Sequence, residues 1–534
     1  MSGRHASAHG PARPDGRTAL ALLVVPLAVA LVASVATVAL GRGADSSPAP
    51  GCPRRRTTAA VAPELASTVA RVLRDSGCTT VRVAARRAAD VAAGLPRGQR
   101  PDLWVPDWSG WVGGARARTT ARLPVAAGSL ASSPVVVVTG DGSRPVSWTT
   151  VLGGDAYLTG DPLTSTASAV PLYGSIAEGA SGGRPPRAVA ASWVEPAQGL
   201  AGRRDIPDDA ARLRRAVERS GSTVVSEQRL LAVSPTGVTA SVPRDGTLWL
   251  DYPLVVTARP GSRHAAYDAA RWLRARARGV AWRHALARAG FRAPDRTPLP
   301  GRGVGRVRRT LHVTPSVVET ARHGFARLTR PTRALAVVDI SGSMGVAAGH
   351  STRMQLTVGA ARGGIALFPD SASIGLWTFA RHLDGRRDHR QLVPIRPLGA
   401  EASGGRSHAQ VLARVLTRLR ARPHAGTGLY DTVLAAYRRV QRGYDPRAVN
   451  SVLVLTDGRN QDPGSIGLRA LLRRLRAAAD PDRPVTVVAI GISAQADAAA
   501  LRRIAAATGG ASFVARDSSD VGRVFRRAMA DRLR

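Results

Sequence analysis

The chain has 534 residues, more than one ordinary domain, and its 44% hydrophobic and 21% charged residues are typical of folded rather than disordered chains. Its formal charge is +39, yet every one of its 76 basic residues is arginine, and these are scattered along all segments. A nucleic-acid site needs a focused basic patch with interleaved aromatics, so specific nucleic-acid binding is not expected; spread charge favours anionic surfaces without naming a function.

The first predicted element is a membrane helix. Residues 18–40 (TALALLVVPLAVALVASVATVAL) form an uncharged apolar run that measures about 34 Å as a helix, against roughly 30 Å of hydrocarbon. The run is longer than the usual signal-peptide core and no cleavage site follows it, so an uncleaved single-pass anchor is expected, with a cleaved signal as the alternative. Arg4, Arg13 and Arg17 before the run are matched by Arg42, Arg54, Arg55 and Arg56 after it, so flanking charge does not set the orientation. Cys52 and Cys78 are the two cysteines. A pair this close, beyond an export segment, reads as a disulfide and places the body outside the cytoplasm, at the cell membrane. Residues 1–17 are then a cytoplasmic tail and 41–53 a linker.

Residues 54–300 alternate short apolar runs with helical patterns, which predicts an α/β layer fold. At PDLWVPDWSGWV, SSPVVVVTG, GDPLTSTASAVPLY, VVSEQRLLAV and LDYPLVV the chain resembles the bilobal extracellular solute-binding proteins of bacteria. That resemblance implies two α/β lobes closing over a small solute, with the chain crossing between them near Ser133–Thr139 and 248–256. Ligand groups in such clefts often meet helix N-termini and hydroxyls, which makes Asp107, Trp108, Ser132, Ser133, Thr164, Ser165 and Thr166 candidates. For each of them the alternative is simple helix capping. Residues 269–292 carry apolar residues at helical spacing with arginine opposite, a packed helix with a solvated face. Residues 301–331 open with Pro, Gly and charge, the composition of a linker, and GRGVG lacks the preceding strand that a dinucleotide site needs.

From 332 to 534 strand and helix alternate regularly. RALAVVDI, SIGLWTF, NSVLVLTD, PVTVVAIGI and ASFVAR are apolar runs bounded by turn signals, predicting a doubly wound, mostly parallel sheet whose ligands bind beyond the carboxyl ends of its strands. At those ends lie Asp339-Ile340-Ser341-Gly342-Ser343, then Thr427 in AGTGLYD, then Asp457 in LTDG. In this order they resemble the metal-ion-dependent adhesion site of von Willebrand factor A domains. The resemblance implies that Ser341, Ser343 and Thr427 hold a cation directly or nearly so, and Asp339 and Asp457 largely through water. All-oxygen ligation suits a hard cation, Mg²⁺ first, with Mn²⁺ or Ca²⁺ as substitutes. His424 is expected to be a loop residue only. No nucleophile elbow, phosphate loop or paired hydrolytic carboxylates occur, so no enzymatic activity is expected.

The function expected is that of a membrane-anchored extracytoplasmic binding protein. Its metal would hold an acidic group of a partner protein while the middle region recognises a solute. A receptor for a membrane transporter and an accessory of an ATPase or chelatase complex are the alternatives.

Overall fold

The computed structural model describes residues 55–515 apart from 75–78, 155, 204, 349, 367, 403, 458 and 493–495. The apolar run 18–40 and both cysteines, Cys52 and Cys78, lie outside the described residues. Among the described residues no helix is long and apolar enough to cross a membrane.

The first ten strands are β1 (Arg55–Val61), β2 (Thr79–Ala85), β3 (Leu103–Val105), β4 (Val125–Ala127), β5 (Ser133–Thr139), β6 (Tyr157–Leu158), β7 (Ser222–Ser226), β8 (Thr239–Ser241), β9 (Trp249–Leu250) and β10 (Leu254–Val256). They build two sheets, in the orders β2-β1-β3-β10-β4 and β6-β7-β5-β8, with β9 also paired to β5. Strands β1, β2 and β3 run parallel, and β10 is antiparallel to both of its neighbours. The chain therefore passes between sheets twice, at 128–132 and at 251–253. The two passages are tied together where the Leu130 N–H donates to the Tyr252 carbonyl at 3.1 Å. Strand β5, expected to be a crossing, belongs to the second sheet; only its first two residues pair with β9.

Alternation along the strands explains the layers. In β5, Val135 and Val137 point into one core and Val136 and Val138 into another, and all four are fully buried. Each contributes ~1.5–3 kcal/mol relative to exposure. Leu103 and Val105 of β3 join the same core as Val135, whereas Trp104 faces a separate one. The inner faces of the two sheets thus share a continuous apolar core. Residues 269–292 do not make one helix: they divide into Arg263–Arg276 and Val280–Arg288 around Gly279.

Residues 301–331, read as a linker, are packed into the body. Arg292 makes a doubly hydrogen-bonded ion pair with Glu227 at 2.6 Å, and both side chains are almost wholly buried. The Val304 N–H adds a third bond to Glu227 Oε1. Gly303 (φ 72°) lies so close that a Cβ there would stand 2.2 Å from that oxygen. The glycines of GRGVG therefore permit the loop to wrap a buried carboxylate. The helix Pro315–Leu328 follows, with Ala321, Phe325 and Leu328 in the shared core.

The remaining strands are β11 (Thr332–Asp339), β12 (Ala347–Ala348), β13 (Ser351–Thr352), β14 (Ser373–Asp384), β15 (Arg387–Pro397), β16 (Glu401–Ala402), β17 (Arg406–Ser407), β18 (Val449–Thr456), β19 (Val485–Ile492) and β20 (Ser512–Ala515). The main sheet has the order β15-β14-β11-β18-β19-β20, parallel except for the β14–β15 edge hairpin. Leu335 and Val337 of β11 face a core closed by the helices Leu429–Arg442, Leu468–Ala477 and Ala498–Ala506. Val338 faces the opposite core, closed by the helices Arg353–Ala366 and His408–Thr417. With both faces buried, β11 and β18 read as nearly continuous apolar runs.

Candidate metal centre

Parallel pairing of β11 with β18 sets Val338 opposite Leu455, which brings the next residues, Asp339 and Thr456, side by side at the carboxyl edge. The Thr456 hydroxyl donates to Asp339 Oδ2 at 2.6 Å, and the Ser341 N–H donates to Asp339 Oδ1 at 2.8 Å. Asp339 is wholly buried, and that burial raises its carboxyl to about 6 against the pull of these bonds, with Asp457 adding a smaller push. The loop after Asp339 is held from above: the Gly342 N–H donates to the Ala425 carbonyl at 2.9 Å, and a Cβ at Gly342 would come within 3.1 Å of the His424 backbone nitrogen. His424 itself turns through a left-handed conformation (φ 63°), a loop position.

This docking brings the expected oxygens together. The Ser341 and Ser343 hydroxyls are 3.1 Å apart, the Thr427 hydroxyl lies 3.1 Å from Ser341 Oγ, and the Ser343 hydroxyl donates to Asp457 Oδ1 at 2.9 Å. Two ligands set at right angles about 2.1 Å from a Mg²⁺ ion are roughly 3.0 Å apart, so these spacings are those of adjacent corners of an octahedron. The donor set is all oxygen, which fits a hard divalent cation. Sequence reasoning did not find two further participants. Thr456 orients Asp339, and Arg353, at the start of its helix, donates to Asp457 Oδ2 at 2.6 Å.

Residues 335–527 match the family model of the von Willebrand factor type A domain. This part of the chain is thus similar to von Willebrand factor type A domains. An uncharacterized protein of Mycobacterium tuberculosis, matched in two strains, is 30% identical over 227 residues, covering 42% of this chain and 32% of the relative. The chain thus spans about a third of the length of the curated relatives it matches. Among solved structures, proximal thread matrix protein 1 from the mussel byssus, with a zinc-occupied MIDAS motif, aligns over 37% of this chain and 47% of its own at 14% identity and TM-score 0.28. The sulfate-binding protein SubI of Mycobacterium tuberculosis aligns over 46% of this chain and 88% of its own at 19% identity and TM-score 0.36.

Beside the oxygen cluster of the A domain lies a carboxylate trio that the sequence did not reveal. Asp388 on β15, Asp431 in the first turn of Leu429–Arg442 and Asp462 approach within 4.8 Å of one another. Burial raises the Asp388 carboxyl, a bond from the His382 N–H opposes this, and Asp462 and Asp431 add repulsion. The same loop steadies the cluster, because the Gln461 N–H donates to the Thr427 carbonyl at 2.8 Å.

The seven candidates in the middle region separate into two groups. Ser132 and Ser133 are buried and used structurally: the Ser132 hydroxyl donates to the Ala293 carbonyl, and Ser133 Oγ accepts from the Gln228 N–H. Thr164 donates to Asp161, and Ser165 caps the helix Thr166–Ser181 by accepting from the Ser168 N–H. Asp107, Trp108 and Thr166 instead meet where the lobes face each other. Thr166 Oγ1 accepts from Trp111 Nε1 at 2.8 Å and its hydroxyl also bonds Asp107, while the Trp108 and Tyr173 rings lie 5.8 Å apart. Glu64, Asp251 and Tyr252 join them without any sequence signal. The Tyr252 hydroxyl donates to Glu64 Oε1 at 2.8 Å, and the Ser109 N–H donates to Asp251 Oδ1 at 2.7 Å. Burial is the first cause raising the carboxyls of Glu64, Asp107 and Asp251; Asp107 reaches about 7, with the charge of Glu64 the next contribution.

Proposed function

We propose that the chain is a membrane-anchored extracytoplasmic binding protein, not an enzyme, whose A domain holds a divalent cation and through it an acidic group of a partner protein. The observation that carries this reading is the run of Thr427, Ser341, Ser343 and Asp457 oxygens, each 2.9–3.1 Å from the next. Ser341, Ser343 and Thr427 would hold the ion, with Asp339 and Asp457 behind them, and the ion would supply a Lewis-acidic position for an outside carboxylate. Mg²⁺ is the preferred ion, with Mn²⁺, Ca²⁺ or the zinc of the mussel protein as substitutes. Asp339 fixes the Ser341 backbone, and Arg353 neutralises part of the charge on Asp457, so the cluster keeps little negative charge of its own. A cation among so many neutral hydroxyls retains its pull on an external acid. The bilobal region recognises a small solute between its lobes.

The test is calorimetric titration of the purified full chain with Mg²⁺ and Mn²⁺, followed by affinity capture of partners with Mg²⁺ and then with EDTA. Wild type takes up metal and loses captured partners in EDTA. Asp339→Ala does neither, yet keeps its circular dichroism spectrum. An Asp339→Ala chain that binds metal and partners like wild type refutes the assignment.

A further inference from the structure

Three partly buried carboxylates gather in the middle region. The chain carries 76 arginines against 37 acidic residues, and most ion pairs among the described residues join a carboxylate to an arginine. Glu64, Asp107 and Asp251 are, like many carboxylates among the described residues, without an ion-pair partner, and the arginines that act on them, Arg229 on Glu64 and Arg296 on Asp251, are minor influences. They come from three separate places, the first turn of the helix Pro63–Leu73, the turn after β3 and the second passage between the lobes. Each feels the others, since the charge of Glu64 and that of Asp251 both act on Asp107.

Two independent features show that the arrangement is built for something. Asp107 Oδ1 is buried and has no hydrogen-bond partner, although Thr166 serves the same carboxylate. A buried, unpartnered carboxylate oxygen is among the costliest groups a fold can keep, and its natural complement is a cationic donor. Tyr252, whose hydroxyl is aimed at Glu64, sits at φ 45°, a left-handed backbone that is unfavourable for a residue with a Cβ. Strain and an unmet acceptor thus occur together at the passage between the lobes, where the Tyr252 N–H also donates to the Asp107 carbonyl. A bare metal ion is not the complement. Among the described residues the only carboxylate trio close enough to share one is Asp388, Asp431 and Asp462. Carboxylates set farther apart, with the Trp108 and Tyr173 rings beside them, suit a larger cation whose charge is carried on carbon-bearing groups.

We propose that the space between the lobes binds a small organic cation, an ammonium-bearing solute paired to Asp107 and neighboured by Glu64, Asp251 and the Trp108–Tyr173 ring pair. The proposal rests on the reading of the middle region as a solute-binding one and names the class of its solute. It disfavours anions, which the helix N-terminus at Thr166 alone would have favoured, because three carboxylates without an ion-pair partner act on one another there.

The experiment is thermal unfolding of the purified full chain in EDTA, so that the A domain contributes no metal effect, with choline, putrescine, sulfate and glucose as probes. Choline or putrescine raises the melting temperature in a saturable way, and Asp107→Asn weakens that binding by about tenfold or more, the loss that follows removal of one charge-assisted bond. Trp108→Leu weakens choline more than putrescine, because a quaternary ammonium depends more on the ring face. Stabilisation by sulfate or glucose that is lost in Asp107→Asn overturns the cationic class while leaving the solute-binding reading intact. Stabilisation by the cations that is unchanged in Asp107→Asn overturns the site. No response to any probe overturns the proposal and the solute-binding reading together.

Discussion

Replacing Asp107 by asparagine stabilises the solute-free protein at alkaline pH and leaves it unchanged in acid. The Asp107 carboxyl rises from 3.8 to about 7 in the folded chain. Unfolding returns it to the lower value, so between these limits the folded state holds a proton that the unfolded state has released. Stability therefore falls as pH rises from about 4 to about 7 and stays low above that. Three units at ~1.4 kcal/mol each give about 4 kcal/mol as an upper bound, and partial exposure of the side chain reduces this to about 2–3 kcal/mol. Asparagine keeps an acceptor for the Thr166 hydroxyl and removes the charge that Glu64 repels. Urea unfolding of wild type and Asp107→Asn at about pH 8 and about pH 4 measures the difference, which is present at the first and absent at the second. A variant no more stable than wild type at about pH 8, or one stabilised equally at both, refutes the reasoning that the folded chain bears the cost of an ionised Asp107.

Other substitutions test other links. Glu227→Ala leaves Arg292 buried without its counter-charge and destabilises the chain by ~3–5 kcal/mol. Chemical denaturation reads this, and the paired Glu227→Leu, Arg292→Met change recovers most of the loss. Gly303→Ala forces a Cβ onto the Glu227 carboxylate at a positive φ and costs about 1–3 kcal/mol. A neutral melting temperature for this variant would show that the loop is free to move away. Arg353→Gln removes a positive charge from Asp457 and tightens Mg²⁺ uptake by about tenfold through relieved repulsion. Calorimetry that finds metal binding unchanged or weaker assigns Arg353 a purely structural part.

Sequence alone was informative wherever the signal is local. The strands β11, β14, β18 and β19 are largely buried apolar runs, and such runs stand out without knowledge of their neighbours. The loop that holds Ser341 and Ser343 is equally visible, because a carboxylate and two hydroxyls at alternate positions from a strand end need only five residues of context. Strand β15 was invisible for the opposite reason: RDHRQLVPIRP is largely exposed and owes its existence to pairing with β14 along the sheet edge. Residues 301–331 looked like a linker because glycine, proline and charge are ambiguous in isolation; the buried partner that uses them, Glu227, lies more than 70 positions away. The same holds for the groups that decide function. Thr456 reaches Asp339 across a strand register, Arg353 reaches Asp457 across 104 positions, and Glu64, Asp107 and Asp251 come together from a helix start, the turn after β3 and the second passage between lobes. A side chain's chemistry is written in the sequence, but its burial, and with it the cost of its charge, is set by residues far along the chain, so only the tertiary structure decided which carboxylates remain without a partner.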